Sequence, residues 1–144
     1  MLPIEQCYGV IVVLKGEQNK FLMLEREETK GDWTFAKGHG EKGETSKKTA
    51  MRELEEETGI TKIEILDLPL IHEEYEVIRH GEKRLKINEY FIGFVKDKNV
   101  KIEKEEIQSY KWATYEEALK TFGYESHKQV LKEAQKYLKN ESKK

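Results

Sequence analysis

The chain has 144 residues, with 26 Lys and Arg against 28 Asp and Glu, and 37% hydrophobic positions. That length suits one domain spanning residues 1–144 and leaves little room for two independent cores. A net charge of −2 gives no bulk attraction to nucleic acid or membrane, and no apolar run approaches the roughly 18 residues that cross a bilayer. The opening MLPIEQCYGVIVVL lacks a basic region and a small-residue cleavage site, so a signal peptide is not expected. A lone cysteine, Cys7, excludes an internal disulfide framework and a cysteine-built zinc site; its apolar setting makes it a buried small hydrophobe. A cytoplasmic location is the resulting expectation. There are 25 Glu and 22 Lys but only 3 Asp and 4 Arg. Such a composition is reported for hyperthermophile proteins, and AT-rich coding produces the same bias.

No repeat, low-complexity stretch or linker interrupts the chain. Gln6–Leu14 is apolar and β-branched, as a buried strand should be, and Lys20–Leu24 reads as its hairpin partner across a turn at Gly16–Asn19. The glycine-rich segment Gly31–Gly43 reads as loop, with a short extended piece at Trp33–Phe35. Thr45 is a helix N-cap, Ala50, Met51 and Leu54 form the apolar stripe that follows, and Gly59 stands where a left-handed C′ residue ends a helix. Thr61–Leu70 predicts a strand or two. His72–Ile78 and Lys83–Lys96 predict extended segments joined at His80-Gly81, and Ser109–Ala113 a last short strand. Thr114-x-x-Glu117 is a capping box opening a helix through about Leu119. Glu125–Leu138 predicts an amphipathic helix with Val130, Leu131, Ala134 and Leu138 on one side, followed by a frayed tail at Lys139–Lys144. Trp33 and Trp112 read as packing residues. The fold class is therefore mixed α/β.

The chemistry concentrates in Gly38–Ile60, GHGEKGETSKKTAMRELEEETGI. Glu53, Glu56 and Glu57 stand at i, i+3 and i+4 and project from one helix face, whereas Glu55 points elsewhere. Three adjacent like charges repel and raise one another's pKa. A hard divalent cation relieves this, since carboxylate oxygens suit Mg²⁺ or Mn²⁺. Mg²⁺ prefers a few carboxylates plus waters and phosphate oxygens, so the pattern also points to a phosphate-bearing substrate. Glycines let the loop backbone approach phosphate and metal closely. Arg52 holds carboxylates by bidentate hydrogen bonds, with Glu44 its expected partner.

Gly38, Glu44, Arg52, Glu53, Glu56, Glu57 and Gly59 fit G-x5-E-x7-R-E-U-x-E-E-x-G-U, with Leu54 and Ile60 in the apolar slots. This resembles the Nudix hydrolase box, without a gap over residues 38–60. The resemblance implies an α/β/α sandwich with a mixed sheet and a loop–helix–loop box. It implies Mg²⁺ or Mn²⁺ held by Glu53, Glu56 and Glu57, with the backbone carbonyl of Lys37, and a metal-bound water attacking phosphorus. Arg52 belongs to the catalytic group, while Gly38, Glu44 and Gly59 support the box. The general base is Glu53 or Glu57, or a loop carboxylate for which Glu106 in KEEIQSYKWAT is the candidate.

Flanking pieces are similar to the asymmetric diadenosine tetraphosphate hydrolases: YGVIVV, DWTFAKGH, NEYFIGFVKD, EIQSYKW and FGYESHKQVLKEAQKYL. That resemblance implies cleavage to ATP and AMP. It implies phosphate contacts from Lys37 and His39 and an adenine held between Tyr90 and Tyr124. One departure is Ala36, where the family usually has proline; the loop loses rigidity but no reacting group. The basic hairpin Arg79, His80, Lys83, Arg84, Lys86 offers a grip on a long polyphosphate or an RNA 5′ end, with Lys86 the expected contact, although such a run is more often a solvated turn. The alternatives are pyrophosphate removal from RNA 5′-triphosphate ends, hydrolysis of nucleoside triphosphates, and, last, a nucleotide-binding module without turnover. The expected partner is a small nucleotide, with no membrane and no stable nucleic-acid partner; the sequence is silent on oligomeric state.

Overall fold

The computed structural model describes residues 1–142. It contains strands β1 (Ile4–Leu14), β2 (Lys20–Arg26), β3 (Trp33–Thr34), β4 (Ala36–His39), β5 (Glu64–Ile65), β6 (Ile71–Arg79), β7 (Glu82–Val95) and β8 (Ile107–Ala113). Three helices accompany them: α1 (Ser46–Thr58), α2 (Tyr115–Thr121) and α3 (Glu125–Ser142).

β1 and β7 form the parallel centre of one mixed, eight-stranded sheet, paired from Ile4 opposite Leu85 to Leu14 opposite Val95. On its other edge β1 pairs antiparallel first with β4, Cys7–Val10 against Ala36–His39, and then with β2 at Val13 and Leu14. β3 pairs with β2 instead. The segment Trp33–His39 therefore fills the fork where β1 and β2 diverge, and it delivers the chain to α1.

β1 is buried on both faces, which is why its sequence is a continuous apolar run rather than an alternating one. Ile11 and Val13 pack with Ala118, Phe122, Val130, Leu131, Ala134 and Leu138 of the α2–α3 layer. Val10 and Val12 pack with Ala50 and Leu54 of α1. Helices thus cover both faces of the sheet, giving the expected α/β/α sandwich. Cys7 is buried, and no helix among the described residues is long and apolar enough to cross a membrane.

Four expectations need correction. Ala36–His39 is a strand and not loop, because Gly9 lets β1 come close: a Cβ there would lie 2.1 Å from the Ala36 carbonyl oxygen. Thr61–Leu70 yields only the two-residue β5, since β7 offers it an edge only at Gly93 and Phe94. The helix opened by the Thr114 capping box runs to Thr121. α3 continues through residue 142, so Lys139 is helical rather than frayed, and Lys143 and Lys144 lie outside the described residues. The β6–β7 turn forms as read, with His80 at φ 53° and Gly81 at φ 78°.

Candidate active site

Local capping fixes α1 at both ends. Thr45 accepts a hydrogen bond from the Lys48 N–H at 3.2 Å, and Gly59, at φ 73°, donates its N–H to the Glu55 carbonyl at 2.8 Å. Between these caps the helix carries three carboxylates, Glu53, Glu56 and Glu57, whose surroundings differ sharply.

Glu57 is 1% exposed and faces β2. Its Oε2 takes Arg26 Nη1 at 2.5 Å and its Oε1 takes the Lys37 N–H at 3.1 Å. Arg26 is itself fixed by donating to Thr34 Oγ1 at 2.8 Å and to the Phe35 carbonyl at 2.9 Å. Burial pushes the Glu57 carboxyl up in pKa, with Arg26 opposing. Glu53 accepts from Arg52 at 3.0 Å, and burial together with the neighbouring Glu57 pushes its pKa up to about 7. Glu56 is more than half exposed and leans on Arg52 at 3.1 Å.

Arg52 organises this face. Its Nε and Nη2 meet both oxygens of Glu44 at 2.8 and 3.0 Å, the bidentate pair expected from the sequence, and Nη2 also donates to the His39 carbonyl at 2.9 Å. Glu44 further accepts from the Glu41 N–H and the Thr49 hydroxyl. The Arg52 guanidinium holds the Glu44 carboxyl down at about 2. Gly38 completes the box, for a Cβ there would fall 2.0 to 2.5 Å from the Glu53 carboxyl atoms. No larger residue lets β4 lie this close to α1.

A cleft of about 640 Å³ opens beside the box, and Gly38, Glu53, Glu57, Glu105 and Glu106 are among the residues that line it. Strand alternation builds its cationic wall: Glu5 on β1, Lys86 on β7 and Tyr75 and Arg79 on β6 share one sheet face. Glu5 lies 3.8 Å from Lys86 Nζ, 3.6 Å from His39 Nε2 and 3.3 Å from Arg79 Nε. Burial raises the Glu5 pKa, but Arg79, Lys86 and the His39 ring outweigh it and the net shift is downward. Burial, then Arg26 and Lys86, bring the Lys37 ammonium down to about 8. Of the basic hairpin, Arg79 and Lys86 line the cleft, whereas His80, Lys83 and Arg84 do not.

The aromatic expectation divides. Tyr90 is 0% exposed; its hydroxyl donates to Glu73 Oε1 at 3.1 Å and its ring meets Phe35 edge-on. It sits under α3 in the core and offers no face to a base. Tyr124 is 52% exposed, and its near-parallel partner is Tyr75, 6.0 Å away with 14° between the planes. Both line the cleft. Sequence reading missed Tyr75 and Arg26. The alternation of β6 against Lys86 could have flagged Tyr75, whereas nothing local relates Arg26 to a glutamate 31 residues away. Trp33 and Trp112 pack against the two core clusters, as read.

Glu73, beneath these tyrosines, is held down at about 2: burial opposes ionisation, but His127, Asn88 and Ser126 stabilise the carboxylate more. A carboxyl depressed on folding stabilises the fold above its usual pKa of 4.5, and that contribution disappears as the pH falls from about 4.5 to about 2. Urea unfolding across this range should therefore show the stability gap between wild type and Glu73→Gln closing as the pH drops.

Residues 6–134 match the NUDIX domain family. The rat bis(5'-nucleosyl)-tetraphosphatase (asymmetrical) is 33% identical over 120 residues, 83% of this chain and 80% of that protein. The crystal structure of a Caenorhabditis elegans Ap4A hydrolase binary complex superposes with a TM-score of 0.82 at 26% identity, covering 94% of this chain and 98% of that one. A MutT protein from Methanosarcina mazei superposes with a TM-score of 0.77 at 23% identity, over 96% and 97% of the chains, and speaks for the fold alone.

Proposed function

The chain belongs to the Nudix hydrolase family, and from that premise we propose that it cleaves diadenosine tetraphosphate asymmetrically, releasing ATP and AMP. The observation that carries this reading is the near-parallel Tyr75–Tyr124 pair at the cleft, on the same side as Lys86, Arg79 and His39. A base stacked between two rings needs about 7 Å between them, twice the ordinary contact distance. The tyrosines are 6.0 Å apart, and Tyr124 is exposed enough to yield the remainder. A purine at one end and a cationic wall leading to the box suit a nucleotide with a long phosphate bridge. The rat relative's name supports the same substrate. We further take residues 1–144 as a single Nudix domain, a reading supported by the one sheet and the extent of the family match.

Nudix hydrolases generally use divalent metals, and the donor set here fits Mg²⁺. Among the described residues no three His, Cys, Asp or Glu side chains stand together as a complete cage, and Glu56, more than half exposed, shares Arg52 Nη1 with Glu53. Glu53, Glu56 and Glu57, with the Lys37 carbonyl beside Gly38, would supply the partial, oxygen-only set that Mg²⁺ takes when waters and substrate phosphates fill the remainder. Mg²⁺ held there would supply charge neutralisation on the transferring phosphoryl group and a lowered pKa for the attacking water. Arg52 keeps Glu53 and Glu56 aimed, and Arg26 keeps Glu57 in place. Lys37, His39, Lys86 and Arg79 bind phosphate oxygens, and one of Glu53, Glu57 and Glu106, all of which line the cleft, takes a proton from the attacking water.

The test is a side-by-side comparison of kcat/KM for diadenosine tetraphosphate, GTP and 5′-triphosphate RNA with Mg²⁺ and with EDTA. Diadenosine tetraphosphate should lead by at least about tenfold, and EDTA should abolish turnover. A lead for RNA would move the substrate to messenger ends. Tyr124→Ala should raise KM for diadenosine tetraphosphate about tenfold, the scale of one lost base stack, with kcat nearly unchanged.

A further inference from the structure

Beneath the tyrosine pair lies a buried polar group that the hydrolytic chemistry does not use. Glu73 and His127 are 3% and 1% exposed, with His127 Nδ1 2.5 Å from Glu73 Oε2. The other carboxyl oxygen accepts from Asn88 Nδ2 at 3.0 Å and from the Tyr90 hydroxyl at 3.1 Å. The imidazole ring is packed edge-on against Tyr124, with centroids 5.3 Å apart, and against Tyr75 at 6.0 Å and Phe122 at 5.5 Å.

Sequence spacing gives this contact a consequence. Tyr75 lies two residues after Glu73 and on the same face of β6, so the two move together. Tyr124 immediately precedes α3, three residues before His127, and its carbonyl accepts the Lys128 N–H at 3.3 Å, so the two are one helical turn apart. Each ring is therefore tied to one member of the buried pair, and the Glu73–His127 contact joins strand to helix directly below the space between the rings. Replacing a buried polar pair by apolar residues of similar volume is often neutral or stabilising, so core packing alone gives no reason for a carboxyl and an imidazole here.

We propose that Glu73 and His127 are a positioning pair for adenine recognition, joining β6 to α3 so that Tyr75 and Tyr124 stand parallel at nearly the separation a base requires. The proposal rests on the reading of those tyrosines as a base clamp. Its benefit is pre-organisation: rings already ordered in the free protein lose less freedom when the base enters. Neither residue contacts substrate.

The experiment measures KM and kcat for diadenosine tetraphosphate, and affinities for AMP and for inorganic tripolyphosphate, in wild type, His127→Phe, Glu73→Gln and Tyr124→Ala. His127→Phe keeps a ring against both tyrosines but loses the link to Glu73. It should weaken AMP binding and raise KM about tenfold while leaving kcat and tripolyphosphate affinity within about twofold. Glu73→Gln retains an acceptor for Asn88 and Tyr90 and a hydrogen bond to His127, so its AMP affinity should stay within about threefold of wild type. Wild-type AMP affinity in folded His127→Phe would overturn the proposal. If that variant does not fold, NMR of the wild-type His127 ring decides: its resonances should shift with AMP and not with tripolyphosphate, and unmoved resonances would overturn it. Loss of AMP affinity in Tyr124→Ala but not in His127→Phe defeats the positioning role alone. Undiminished affinity in Tyr124→Ala defeats the clamp itself.

Discussion

Glu53→Gln is expected to lower turnover of diadenosine tetraphosphate at least about a hundredfold while leaving the protein folded. The size follows from the position. Glu53 stands where β4 and α1 come closest, takes a hydrogen bond from Arg52, and lines the cleft. Glutamine keeps its volume and an acceptor for Arg52 but loses the negative charge that a divalent cation requires. Folding should not suffer. In the free protein the Glu53 charge is opposed by burial and by Glu57, so its removal relieves repulsion. Thermal unfolding should accordingly give an equal or higher Tm for Glu53→Gln than for wild type. Wild-type turnover in this variant would remove Glu53 from the chemistry.

Gly38→Ala should separate activity from stability in the same way. The added methyl would lie 2.0 Å from the Glu53 carboxyl carbon, closer than any two such atoms stand, so one of them must move. The obstructing atoms are the end of a side chain, which turns aside at little cost to the fold. The carboxylate then leaves its place beside β4, and a misplacement of about 1 Å in a reacting group costs about a hundredfold in rate. A drop of that order in kcat, with the Tm changed by only a few degrees, is the expected result of steady-state kinetics and thermal unfolding. A variant with intact kcat would mean that the close approach of Gly38 to Glu53 has no role in turnover.

What the sequence revealed depended on how local each interaction is. α1 and its caps and the Arg52–Glu44 pair lie within one helix and the turn before it, and both were legible. So was the burial of β1 on both faces, because a strand with one face in water would alternate polar and apolar residues. β4 was not legible: AKGH has no alternation, and it is a strand only because Gly9 lets β1 approach. The tyrosines show the same limit. Tyr75 and Tyr90 face the same side of the sheet, Tyr90 opposite Ile71 and Tyr75 opposite Lys86. Which of them α3 covers and which it leaves open depends on where that helix lies, and no local pattern encodes this. Arg26–Glu57 and Glu73–His127 join residues 31 and 54 positions apart and belong to the same class.

The most direct test of asymmetric hydrolysis is the identity of the products formed from diadenosine tetraphosphate with Mg²⁺, separated by chromatography at early times. ATP and AMP in equal amounts, absent when EDTA is added, is the result this account predicts. Two molecules of ADP, which require attack at the centre of the phosphate bridge, would contradict it.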